Sequence, residues 1–179
     1  MYTQEQKKRM LKLLAAKEKR SLRQKKWIQK YQRPILTLML NIPGPHKVSP
    51  SYDRVLGRVF TTIQRDLGKK IIAFEYYKSL WGNYYIIACD INGVDLKKYC
   101  IKLEESESIG RILDLDVFDT QGQNISRKDL NLPQRKCLLC PKEARLCIRQ
   151  ESHSIEELEN TVNHLVLNYL GEYKHEEKN

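Results

Sequence analysis

What this 179-residue sequence lacks narrows it first. No stretch approaches the roughly 18 consecutive apolar residues that span a bilayer. The N-terminus, although basic, has neither the apolar core nor the small-residue cleavage site of a secretion signal, so the expected compartment is the cytoplasm, with no membrane partner. The cysteines number five, an odd count, so a disulfide framework is not expected and the thiols are read as chemistry, metal ligands or core. There is no phosphate loop ending in Gly-Lys-Ser/Thr, no Rossmann glycine pattern and no Ser-His-Asp signature. A nucleophile within the chain is therefore not evident, and in a transferase the attacking hydroxyl would belong to the acceptor. Internal repeats and long low-complexity tracts are missing as well. The length suits one domain with a core and is too short for two ordinary ones.

What is present is an uneven charge. The net charge is +10, and residues 1–33 hold 12 Lys or Arg against Glu5 and Glu18, which is 12 − 2 = +10. The other residues hold 20 basic and 20 acidic side chains and cancel. The basicity thus belongs to one N-terminal element. Such an element steers an acidic macromolecule towards it, or else forms a solvated lysine face with no partner.

Thr3 with Gln6 suggests a capping box, and Met10, Leu13, Leu14, Trp27, Ile28 and Tyr31 recur at helical spacing, predicting a long basic helix to about Tyr31. Pro34 interrupts it. Ile35 to Leu40 reads as a buried strand, and Asn41 to Lys47, with two prolines around Gly44, as a rigid loop. A helix follows from Pro50 to the stop at Gly68, carrying Val55, Val59, Ile63 and Leu67. Lys70 to Tyr77 and Tyr84 to Asp90 form a hairpin across Trp81-Gly82-Asn83, Val94 to Leu103 a short helix, and Arg111 to Asp119 a strand leaving through Gln121-Gly122. Residues 34–119 thus follow β-α-β-β-α-β, the α+β order of a ferredoxin-like fold with two helices on one face of an antiparallel sheet. Residues 120–153 read as a loop-rich cysteine segment. The last helix spans 154–171, capped by Ser154 and Glu157, apolar at Leu158, Val162, Leu165 and Val166 and stopped by Gly171, and Lys174 to Asn179 read as a frayed tail.

Chemistry concentrates in the second half. In the strand from Arg111 to Asp119 the period of two puts Asp114 and Asp116 on one face and Leu113, Leu115 and Val117 on the other. Paired carboxylates repel unless solvated or bridged by a hard cation such as Mg²⁺. Polymerase-type palms carry paired aspartates on such a sheet, an analogy of architecture; the plainer reading is a wet polar face. Lys47, Arg111, Arg127, Lys128, Arg135 and Lys136 lie in neighbouring loops and have the charge to hold phosphates if the sheet brings them together. Cys137, Cys140, Cys147 and His153 offer three thiolates and an imidazole for a tetrahedral, structural Zn²⁺; the alternatives are reduced thiols packing a loop or a metal-free redox pair. Cys89 and Cys100 read as core.

Taken together, Leu40-Asn-Ile-Pro-Gly-Pro-His-Lys47, Gly110-Arg-Ile-Leu-Asp-Leu-Asp-Val-Phe-Asp119, Ile125-Ser-Arg-Lys-Asp-Leu-Asn-Leu-Pro133 and Arg135-Lys-Cys-Leu-Leu-Cys140, with Cys147 and His153-Ser-Ile-Glu-Glu-Leu158, resemble the apo-citrate lyase phosphoribosyl-dephospho-CoA transferases, also called citrate lyase holo-acyl-carrier-protein synthases. The resemblance runs from about Leu13 to Leu170. It implies a nucleotidyltransferase-type reaction in which a serine of the citrate lyase acyl carrier protein, the gamma subunit, attacks the α-phosphorus of 2′-(5″-triphosphoribosyl)-3′-dephospho-CoA and pyrophosphate leaves. Placed on those motifs, Asp114 and Asp116 are the expected Mg²⁺ ligands, Lys47, Arg111, Arg127 and Arg135 the expected phosphate contacts, and Asp129 or Asp119 the expected base. The basic N-terminal helix would meet the acidic carrier. Two rivals stand beside this reading: a zinc-containing basic module binding nucleic acid, and a carrier-protein maturation factor without chemistry.

Overall fold

The computed structural model describes residues 3–106 and 108–171. The Thr3–Gln6 capping box rests on the Gln6 side chain and, like the 174–179 tail, lies outside what is described. The chain runs α1 (Gln4–Tyr31), β1 (Ile35–Leu40), α2 (Pro50–Leu67), β2 (Ile71–Tyr77), β3 (Tyr84–Cys89), α3 (Gly93–Ser106), β4 (Leu113–Phe118), β5 (Asn124–Ile125), α4 (Ala144–Arg149) and α5 (Ile155–Leu170). From β1 to β4 this is the expected β-α-β-β-α-β order. The strands form one antiparallel sheet in the order β2-β3-β1-β4-β5, so the fold is α+β.

The central strand explains its own sequence. β1 is buried at all six positions because helices cover both faces of the sheet, and so it reads as an unbroken apolar run. On one face Leu36, Leu38, Ile87, Leu115 and Val117 pack under α2, α3 and α5. On the other, Ile35, Met39, Tyr84 and Ile86 pack under Trp27 and Ile28 of α1. Thr37, the one polar residue of β1, is fully buried and accepts a 2.8 Å hydrogen bond from Gln24 Nε2 of α1, which keeps both groups satisfied.

Local signals set the helix ends. The Ser49 hydroxyl accepts from the Ser51 amide ahead of Pro50, and α5 carries the Ser154–Glu157 capping box. Gly171, at φ 73°, closes α5 in a left-handed conformation that suits glycine.

Four features go beyond the sequence reading. The sheet has a fifth strand, only two residues long, and the cysteine segment contains the short helix α4, so it is not all loop. The inner face carries α5 as well as the two expected helices, through Val162, Val166 and Leu170. The apolar stripe predicted along α1 is buried only in its second half; Met10 and Leu14 stay about half exposed (45% and 55%). Cys89 and Cys100 are fully buried in the inner core, where burial pushes the Cys89 thiol up to about 12 and Cys100 in the same direction. No helix among the described residues is long and apolar enough to cross a membrane.

Two glycines make opposite predictions. A methyl group at Gly110 would overlap the backbone of Glu104, where the end of α3 meets the approach to β4, whereas at Gly57, inside α2, it would meet nothing. Gly110→Ala should destabilise by roughly 1–3 kcal/mol, as overpacking against backbone does, and Gly57→Ala should stabilise by about 0.5–1 kcal/mol. Urea unfolding of both variants checks the pair; equal effects would contradict the packing described.

Candidate active site

β4 is the element on which the site is built. Its register with β1 sets Asp114 opposite Met39 and Asp116 opposite Thr37, so both carboxylates share the α1 face while Leu113, Leu115 and Val117 enter the inner core. β5 pairs only with Val117 and Phe118. Side chains supply donors to the carbonyls farther along β4: Arg135 Nη1 bonds Leu113 O at 2.6 Å and Lys97 Nζ bonds Leu115 O at 2.8 Å. Asn124 Nδ2 lies 3.4 Å from Asp116 Oδ1.

The carboxyl of Asp114 is pushed up to about 6, first by burial and then by the charge of Asp116. Arg135 and Arg20 pull it the other way. The pair is thus one acidic centre with a cation on either side, one from the segment after β5 and one from α1. Arg20, whose guanidinium contacts Met39 Sδ, was not among the residues singled out from the sequence. Only the antiparallel lie of α1 along β1 brings it here.

Three of the four predicted phosphate contacts meet at the same end of the sheet. Arg111, Arg127 and Arg135 line one cavity of about 740 Å³, together with Glu104, Glu105 and Lys136. That volume is in the range of small-molecule sites. Glu104 organises the wall: its side chain is 3% exposed and is paired with Arg127 Nη2 at 2.8 Å and with Arg135 Nη2. Arg127 also reaches Glu105 at 2.8 Å. Arg111 Nη2 donates to Cys137 O at 2.5 Å. Arg135 joins the two parts of the site, since it lines the cavity, bonds β4 and acts on Asp114. Lys47 lies on the other side of β1, where its amine donates to Ile42 O and stands 5.9 Å from the Trp81 ring centroid.

The two expected bases lie elsewhere. Asp129 sits in an exposed turn where its carboxylate accepts from the Ser126 amide (2.8 Å) and hydroxyl (2.7 Å), bonds that hold it below the usual carboxylate range. Asp119 closes the turn after β4 by accepting from the Gln121 and Gln123 amides at 2.9 and 2.8 Å. It borders a separate cavity of about 460 Å³ with Pro34, Asp90 and Gly93, at the opposite end of β4 from Asp114.

The cysteine segment closes on itself. Cys137, Cys140, Cys147 and His153 bring their ligand atoms within 4.8 Å of one another, a set able to hold a metal ion. The Cys137 thiol is held below its ordinary value: burial opposes the thiolate, but the amides of Leu139 and Cys140 and the neighbouring thiols outweigh it. Cys147 is pushed up to about 11 by burial and then by hydrogen bonding to Cys140 and Cys137. His153 Nε2 is buried with no hydrogen-bond partner, the state expected of a nitrogen kept for a metal. Hydrogen bonds from Cys137 N to Lys142 O and from Ala144 N to Arg135 O tie this unit to the arginine that serves the cavity.

Comparison with known proteins agrees with the motifs. The profile of the family described as "Apo-citrate lyase phosphoribosyl-dephospho-CoA transferase" matches residues 8–169. A protein of Streptococcus pyogenes serotype M18, named "Probable apo-citrate lyase phosphoribosyl-dephospho-CoA transferase", is 34% identical over 164 residues, covering 89% of this chain and 85% of its own. One of Vibrio cholerae serotype O1 with the same name is 32% identical over 150 residues, covering 82% and 84%. With a profile match along nearly its whole length and relatives of this similarity, the chain belongs to the apo-citrate lyase phosphoribosyl-dephospho-CoA transferase family.

Proposed function

We propose that this protein transfers the phosphoribosyl-dephospho-CoA group from 2′-(5″-triphosphoribosyl)-3′-dephospho-CoA to a serine of the apo acyl carrier protein of citrate lyase, releasing pyrophosphate. The observation that carries the reading beyond family membership is the meeting of the Asp114–Asp116 pair with an arginine-lined cavity through Arg135. Neither rival reading uses that junction. We also read the sheet as ferredoxin-like; its order β2-β3-β1-β4, antiparallel throughout, supports this.

In this mechanism the triphosphate lies along Arg111, Arg127 and Arg135, and Lys47, on the other side of β1, lies outside that cavity. The serine oxygen forms a bond to the α-phosphorus as the bond from that phosphorus to the bridging oxygen of the pyrophosphate breaks. The departing pyrophosphate keeps the electron pair, and the serine proton passes to a carboxylate. Asp119 and Asp129 are the acids expected in that role. Asp129, held low by Ser126, is the weaker acceptor. Arg135 and Arg111 offset the charge that accumulates on the leaving group.

Two coupled carboxylates on one strand face fit a hard divalent cation. Asp114 and Asp116 would hold Mg²⁺, which supplies charge neutralisation for the departing phosphates. The donor set of Cys137, Cys140, Cys147 and His153 fits Zn²⁺, and the unpartnered His153 Nε2 supports this. Four protein donors leave no open position, so the role assigned to that ion is structural, holding Cys137 O and Arg135 where Arg111 and Leu113 meet them.

Intact-mass analysis of the apo carrier incubated with this protein, Mg²⁺ and the triphosphoribosyl donor should show the added group, and Asp114→Asn should slow its appearance by at least about 10²-fold. A scaffold without chemistry predicts no such loss.

Stability should move the other way. A carboxyl raised in the folded state favours folding at pH values below its unfolded pKa, and that advantage is lost as pH rises through about 6. Asp114→Asn should therefore gain on the order of 2 kcal/mol over wild type at pH 8, and less at pH 5. Thermal melts at both pH values test this, and a variant less stable than wild type at pH 8 would contradict it. Elemental analysis of protein purified without chelator should find one zinc per chain, lost in Cys140→Ala together with several degrees of thermal stability. A metal-free wild-type protein of full activity would remove the zinc assignment.

A further inference from the structure

α1 is longer than the sheet it covers, and the excess lies at one end. Its contacts with the sheet come from its second half: Arg20 meets Met39, Gln24 meets Thr37, and Trp27 Nε1 donates to Tyr77 OH at 2.9 Å. Higher helix numbers meet lower β1 numbers, so α1 runs antiparallel to β1. Its first half continues beyond Met39, past the strand end where Asp114 lies opposite. From Gln4 to Arg20, at 1.5 Å per residue, that overhang is about 24 Å long.

The overhang carries both charge and apolar surface. Residues 4–19 hold six basic side chains against Glu5 and Glu18. Every side chain described between Thr3 and Lys19 is exposed except Leu13 and Ala16, which are half-buried. Met10, Leu11 and Leu14 are exposed at 45%, 67% and 55%, beside Lys7, Lys8 and Lys12. No fold requirement accounts for a helical arm that buries so little, since a helix gains most of its stability from packing an apolar face.

We infer that the overhanging half of α1 is the docking surface for an acidic protein, namely the carrier bearing the acceptor serine; the inference rests on the proposed function. The charge selects the partner's sign. A second copy of this chain would bring two lysine-rich arms together, at a cost in repulsion, whereas an acidic surface neutralises them. The placement selects its nature. The arm ends at Arg20, which contacts Met39 directly opposite Asp114 on the neighbouring strand, so a protein seated along it holds its own reactive side chain beside the acidic pair. The exposed leucines give the contact an apolar centre within a charged rim, the arrangement of protein interfaces. Anionic lipid or a nucleic acid would match the charge, but neither supplies a hydroxyl for transfer at that point.

The test uses the full chain and the variant Lys8→Glu/Lys12→Glu/Lys17→Glu/Lys19→Glu, whose side chains are all exposed. Anisotropy with fluorescent apo carrier protein should give binding that weakens with added salt and is at least about 10-fold weaker in the variant. In the transfer assay the KM for the carrier should rise by a similar factor, while kcat at saturating carrier and the KM for the triphosphoribosyl donor stay within about 2-fold of wild type. A second variant, Leu11→Gln/Leu14→Gln, should weaken carrier binding without changing net charge. Unchanged carrier affinity in both variants would overturn the inference. So would wild-type binding to duplex DNA or to phosphatidylserine vesicles tighter than to the carrier at equal salt. If the wild type binds the carrier through these residues but adds no mass to it, the docking surface stands and the proposed reaction falls.

Discussion

The buried carboxylate of Glu104 is the constraint on which the rest of the site depends. A charge that is 3% exposed at the end of α3 persists only if it is paired, and Glu104 draws in two arginines from segments with no strand or long helix of their own. Arg127 brings the turn after β5 against α3. Arg135 brings the start of the cysteine segment against both α3 and the edge of β4. The cavity is the space these two segments enclose once they are held there.

The cysteine segment then behaves as a clasp. Its thiols and imidazole converge although only six-residue α4 gives it regular structure, and its backbone meets Arg111 at Cys137 O. Arg111 and Arg135 flank the entry to β4 and are both tied to this segment, so whatever fixes the clasp fixes the cations beside the acidic pair. A small unit of this kind cannot bury enough apolar surface to order itself, which is the setting in which metal ligation contributes directly to folding.

On the opposite face, α1 serves the sheet and the site with different parts of its length. Trp27 and Ile28 close the second core, while Arg20 lies where Met39 ends that core and Asp114 begins the polar region. The raised Asp114 carboxyl records the tension there: burial beneath a helix and a second carboxylate on the same strand face both disfavour its charge, and two cations offset this only in part.

The sequence by itself determined the elements from α1 to β4 and α5, with their order, though not the two-residue β5 or the short α4. Pro50, Gly68, the Ser154–Glu157 box and Gly171 mark ends that need no tertiary partner, and the period of β4 placed Asp114 with Asp116 before any neighbour was known. The family motifs were legible for the same local reason. The exposed half of α1 was not, because its apolar spacing is that of a buried helix and only the length of the sheet shows where packing stops. Arg20 and Glu104 carried no signal either: one is a basic residue among many on α1, the other an acid on an amphipathic helix. Their roles come from long-range contacts, across 19 residues to Met39 and 23 to Arg127. The tertiary structure alone decided which of many scattered cations share a cavity and which carboxylate lost its water, since charge depends on the distance between groups and local pattern does not fix that distance.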